Sequence, residues 1–149
     1  MSWNDLRKGR CSQPNREYFI TFTTYKRVPL FTNYKAANCF CRLLAVNEVK
    51  TQASWLAWVL MPDHFHGLLK VPDGADLSHI IQNLKGRSGY SINKTVGSKC
   101  ACWQSAYFDR ALRRDQDRLA IARYIVANPL RAKLVKPIRE YPYWNAVYL

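Results

Sequence analysis

The sequence predicts an α+β fold, ferredoxin-like or RRM-like, with a single antiparallel sheet and helices packed mainly on one face. Three observations lead there. Segments of strand and helix character follow in the order β-α-β-β-α-β-α. The second and third strands are separated only by a Pro62-Asp63 turn signal. No internal repeat, low-complexity stretch or linker divides the 149 residues. The expected organisation is one domain over residues 1–149, with a basic arm over 1–16 and a basic, aromatic tail over 131–149.

Each element has its own signal. Tyr18 to Tyr25 is rich in aromatic and β-branched residues and reads as a strand closed by Lys26-Arg27-Val28-Pro29. From Asn33 to Lys50, apolar Ala36, Ala37, Phe40, Leu43, Leu44 and Val46 recur at three- and four-residue steps, an amphipathic helix with Thr32 or Asn33 as N-cap. Ser54 to Met61 is an almost wholly apolar run of strand length, and His64 to Val71 is its returning partner. Asp76 or Ser78 caps a second helix that carries Leu77, Ile80, Ile81 and Leu84 on one face and runs to Tyr90 or beyond. Cys102 to Leu112 reads as one or two short strands. Asp115 opens a third helix that Asn128-Pro129 ends.

Charge is the strongest compositional signal. Twenty-three Lys and Arg against ten Asp and Glu give +13, spread as +6, +2 and +5 over residues 1–50, 51–100 and 101–149. A basic excess carried by several parts of one fold points to a polyanion, with nucleic acid the first candidate. With 48% hydrophobic residues the chain is not of disordered composition. Its longest apolar run, Trp55 to Met61, is too short to cross a bilayer, and the first ten residues hold no apolar signal core. Five cysteines, an odd number without framework spacing, read as reduced thiols of a cytoplasmic protein. The Cys39/Cys41 and Cys100/Cys102 pairs lack the C-x-x-C spacing of structural zinc sites.

Two groups of residues are candidates for chemistry. On a strand, His64 and His66 project to one face while Phe65, Leu69 and Val71 face the other, so the imidazoles form half of a divalent-metal site or, equally, a pair of surface or satisfied histidines. Tyr124 and Asn128 lie one helical turn apart. They suit a nucleophile beside an amide-oxygen ligand, or a half-buried helix aromatic and a simple helix stop.

The run from Val59 to Leu69, containing Met-Pro-Asp-His64-Phe-His66, resembles the HUH signature of single-tyrosine transposases. Ala120 to Val135 resembles the catalytic helix of one branch, the REP-associated tyrosine transposases, linked to repeated extragenic palindromes in bacterial genomes. Tyr18-Phe-Ile-Thr-Phe-Thr, Trp103-Gln and Tyr107 to Arg113 are similar to that branch as well, so the resemblance extends from about Tyr18 to Trp144.

The resemblance implies that His64 and His66 ligate a divalent metal, Mg²⁺ or Mn²⁺, and that Tyr124 is the nucleophile. Asn128 falls where insertion-sequence relatives place a Gln ligand, one methylene longer. Asp63 stands where an Asn commonly precedes the first histidine; a carboxylate there either tunes the site or shapes the turn. Arg110 stands where relatives often have a histidine. The implied activity is a metal-dependent single-strand endonuclease and strand transferase, cleaving and rejoining DNA beside hairpins through a 5′-phosphotyrosine without a nucleotide cofactor. The resemblance favours a monomer, and a bacterial, nucleoid-associated protein of the cytoplasm. Because tyrosine attacks as its phenolate, positive charge from the ion and from Arg123 or its neighbours is part of this chemistry. Phosphate contacts are expected from Lys85, Arg87, Arg110, Arg113, Arg114, Arg131 and Lys133, with Arg7, Lys8 and Arg10 of the arm reaching a groove of the hairpin stem. The competing expectation is a non-catalytic, basic nucleic-acid-binding module on the same scaffold.

Overall fold

The computed structural model describes residues 16–113, 116–147 and 149, with Gln116 as backbone only. Its centre is a five-stranded sheet in the order β4-β1-β3-β2-β5, formed by β1 (Arg16–Thr23), β2 (Ser54–Leu60), β3 (His64–Val71), β4 (Phe108–Ala111) and β5 (Trp144–Ala146). All of its pairings are antiparallel. The first four strands reproduce the split βαβ arrangement that the sequence predicts, and β5 extends it beside β2.

Helices α1 (Tyr34–Thr51) and α2 (Leu77–Val96) begin on side-chain caps. The Asn33 side-chain oxygen Oδ1 accepts the amides of Lys35 and Ala36, and the Asp76 carboxylate accepts that of Ser78. They end on Gln52 and Gly97 in the left-handed region. Their apolar stripes, Ala36, Ala37, Phe40 and Leu44 of α1 with Ile80, Ile81, Leu84 and Ile92 of α2, cover one sheet face. That face presents Ile20 and Phe22 of β1 and Phe65, Leu69 and Val71 of β3. Phe22 stacks on Phe65 at 5.0 Å and meets Trp103 edge-on at 4.8 Å, an aromatic centre that Phe31 and Phe40 close.

The opposite face is covered by α3 (Gln116–Val126), so the helices are not all on one side. Ile121, Ala122, Ile125 and Val126 rest on Leu56, Ala57, Val59 and Leu68. The chain does not leave helical geometry at Asn128-Pro129. Proline at the start of a helix forfeits no bond that would otherwise form, and a further turn, α4 (Asn128–Arg131), begins there. The segment from residue 131 is more ordered than a basic tail would suggest: it supplies β5, and the Tyr141 hydroxyl donates to the Leu60 carbonyl. Sequence periodicity misses β5 because three residues carry no readable alternation. No helix among the described residues is long and apolar enough to cross a membrane.

Gly67 in β3 is required by close approach. The Trp55 ring lies where a Cβ would sit, 2.6 Å from its Cζ3. That ring is pinned by its Nε1–H, which donates to Oδ1 of the fully buried Asn47 at 2.9 Å. Gly67→Ala is therefore expected to destabilise the fold by about 1–3 kcal/mol through overpacking. Urea unfolding should show a lower midpoint at unchanged slope.

Candidate active site on the α3 face of the sheet

Strand alternation sorts β1 and β3 into two sets. Phe22 and Phe65 enter the core beneath α1 and α2, while Phe19, Thr21, His64 and His66 face α3. Register pairs Thr21 with His66 and Thr23 with His64. The imidazole centroids are 4.6 Å apart with planes inclined at 73°.

Each Nδ1 has a partner. His64 Nδ1 lies 2.7 Å from Asp63 Oδ1, and His66 Nδ1 lies 2.7 Å from the Thr21 hydroxyl. Such contacts through one ring nitrogen are what orients a metal-binding histidine for ligation through the other. Burial, with the charges of His64, Arg131 and Arg27, pushes the His66 imidazolium pKa down to about 3, so this ring is neutral near pH 7 and carries a lone pair. Burial alone would raise the Asp63 carboxyl. The hydrogen bond from His64 and the charges of His64 and Arg27 outweigh it and hold Asp63 below the ordinary carboxylate range.

Helix α3 brings Tyr124 to the same face, with its side chain half exposed. Phe19 touches both parts of the site: its ring stacks on His66 at 5.6 Å and meets Tyr124 edge-on at 6.3 Å. From α4, the Arg131 guanidinium covers the Tyr124 ring at 4.0 Å. Asn128 is half-buried at the start of α4, one turn beyond Tyr124. Among the described residues no three or more His, Cys, Asp and Glu side chains are disposed to hold a metal ion by themselves. The donor set here, two imidazoles side by side on β3, fits a divalent ion that completes its shell with phosphate oxygens and water.

The other predicted residues are dispersed. Arg110 is exposed on β4 opposite Phe19, on the histidine face, and Arg113 and Lys133 are exposed as well. Arg87 is exposed on α2, across the sheet. The Lys85 ammonium donates to the carbonyls of Gln104 and Ala106, which ties α2 to the segment before β4. Arg7, Lys8, Arg10 and Arg114 lie outside the described residues. A cavity of about 630 Å³ opens between α2 and residues 102–107, lined by Ile81, Lys85, Gly89, Trp103 and Tyr107, away from the histidines.

Sequence reasoning missed Phe19, Thr21, Arg27 and the ion pair of Glu17 with Arg118. Their signal is present only as strand alternation, which becomes informative once the β1–β3 register is known.

A family model described as "Transposase IS200 like" matches residues 12–128, a span that contains His64, His66, Tyr124 and Asn128. The chain belongs to the IS200-like transposase family. Over 90 residues it is 28% identical to the REP-associated tyrosine transposase of Escherichia coli (strain K12), a match covering 58% of this chain and 50% of that protein. The chain thus spans about half the length of that relative. Among solved structures, a REP-associated tyrosine transposase bound to a REP hairpin superimposes with TM-score 0.73 at 22% identity, covering 91% of this chain and 79% of that one. A candidate transposase from Deinococcus radiodurans R1 superimposes with TM-score 0.59 at 20% identity, covering 78% and 93%. Both share the fold of this IS200-like chain, and the resemblance read from its motifs is borne out.

Glu17 is almost fully buried, and both of its carboxylate oxygens accept from Arg118 Nε, at 2.7 and 2.9 Å. This pair fastens α3, and with it Tyr124, to β1. Arg118→Met is expected to cost about 3–5 kcal/mol by leaving a buried carboxylate without its partner. Hydrogen exchange should locate the loss of protection in α3, and adding Glu17→Gln should recover part of it.

Proposed function

We propose that this chain is a divalent-metal-dependent endonuclease and strand transferase that cleaves and rejoins single-stranded DNA beside palindromic hairpins through a 5′-phosphotyrosine at Tyr124. The observation that carries the reading is the common face: two imidazoles with both Nδ1 atoms engaged, and a half-exposed tyrosine one phenyl ring away. Family membership and the hairpin-bound structural relative add support.

In this reading His64 and His66 would hold the ion through Nε2, with the Asn128 amide oxygen as a further ligand. Mg²⁺ or Mn²⁺, when bound, polarises the scissile phosphate. Phe19 keeps bulk water from the space between His66 and Tyr124, and Arg131 steadies the phenol ring and offers its guanidinium to a phosphate. The Tyr124 oxygen attacks phosphorus, the bond from phosphorus to the 3′ oxygen breaks, and the phenolic proton passes to the released 3′ oxygen, which leaves as a 3′-hydroxyl. That hydroxyl, or one from another strand, reverses the step by attacking the phosphotyrosine, so ligation consumes no nucleotide. Arg110, Arg113, Arg131 and Lys133 track the backbone at the site. Arg87 and Lys85 on α2, Arg114, and Arg7, Lys8 and Arg10 of the arm extend the contact to the hairpin stem. The protein works as a monomeric single domain at the bacterial nucleoid.

The test is a labelled hairpin with single-stranded flanks, taken from palindromic repeats, incubated with protein and Mg²⁺ or Mn²⁺ and resolved on a denaturing gel. Wild type is expected to form a covalent adduct, and Tyr124→Phe, His64→Ala or EDTA to abolish it. A hairpin that shifts on a native gel yet forms no adduct with either metal would reduce the chain to a binding module. Hairpin affinity is also expected to fall by about 10³-fold or more between 50 and 200 mM salt if six or more phosphates are contacted. Tyr124→Phe should leave that salt slope unchanged, because it removes no cation.

A further inference from the structure

We propose that Asp63 is a positioning residue that fixes the tautomer of His64, so that His64 presents its Nε2 lone pair to the site, and that Arg27 holds the carboxylate in place for this purpose. The inference rests on the reading of His64 as a metal ligand. An ionised carboxylate only accepts hydrogen bonds. With Asp63 Oδ1 at 2.7 Å from His64 Nδ1, the proton belongs on Nδ1, and a neutral ring then carries its lone pair on Nε2. The opposite tautomer would set two lone pairs against each other across that distance. His66 has no such device, because its partner is the Thr21 hydroxyl, which serves either tautomer as donor or acceptor.

The surroundings of Asp63 are built to keep it there. Its other oxygen, Oδ2, accepts from Arg27 Nε at 3.1 Å. Its carbonyl accepts the amide of Thr24, a buried residue at the end of β1. The turn that returns Arg27 to this point places Lys26 and Arg27 at φ 55° and 56°, a region that side chains other than glycine enter at an energetic cost. Glycine at position 27 would relieve the strain and remove the guanidinium together. An asparagine at position 63 would offer an amide that both donates and accepts, and so would leave His64 free to adopt either tautomer.

The experiment combines two readouts on the full chain. Two-bond proton–nitrogen correlation of the ¹⁵N-labelled, metal-free protein reports the tautomer of each imidazole, and electron paramagnetic resonance reports Mn²⁺ affinity. The expected result is an Nδ1–H tautomer for His64 in wild type and a mixture in Asp63→Asn. Mn²⁺ binding should weaken about tenfold or more in that variant, and by less in Arg27→Gln, whose side chain is largely exposed. An Nε2–H tautomer in wild type, or unchanged tautomer and affinity in Asp63→Asn, overturns the proposal. Absence of any Mn²⁺ binding that His64→Ala removes would instead sink the metal-site reading, and the tautomer spectra would still decide the role of Asp63.

Discussion

The register between β1 and β3 is the constraint from which the site follows. Eight paired positions run from Arg16 opposite Val71 to Thr23 opposite His64. Because side chains alternate strictly, a slip of β3 by one residue would send Phe65 towards α3 and drive both histidines into the aromatic core. That core forbids the slip: Phe22, Phe40 and Phe65 are each essentially without exposure, and their rings interlock with those of Phe31 and Trp103. The placement of the two imidazoles is thus enforced from the other side of the sheet.

Helix α3 supplies the second half of the site through a different balance of forces. Its apolar stripe is short, and a partly buried ion pair, Arg118 with the buried Glu17 carboxylate, fixes its docking on β1. Tyr124 lies at the edge of that stripe, half exposed, because its ring finds Phe19 on one side and Arg131 on the other. Continuation of helical backbone past Pro129 is what brings Arg131 back over the ring. Had the helix stopped at Asn128, the guanidinium would have had no fixed direction of approach.

The site is also cationic by construction. Arg27 and Arg131 act on His66 together with His64, and burial of His66 keeps that ring neutral. Positive charge gathered around uncharged imidazole nitrogen suits a phosphodiester: the anion is attracted while the donor atoms remain available.

Local pattern in the chain was enough to mark the first three strands, both long helices, their caps and the two motifs, since period-two and period-3.6 alternation and capping chemistry are properties of neighbouring residues. His64, His66, Tyr124 and Asn128 were legible for the same reason: each pair lies within four positions. Three-residue β5 left no such trace, and neither did the turn of helix beyond Pro129. Nor did local pattern reveal that α3 crosses to the opposite face, because that depends on which surface of the sheet α1 and α2 leave uncovered. The partners of the site, Phe19 between the two motifs, Thr21 on His66, Arg27 on Asp63 and Glu17 on Arg118, were decided by the tertiary structure alone. They join residues 36 to 105 positions apart, and only the register of the sheet, held by the packed core, brings such residues within hydrogen-bond or ring contact.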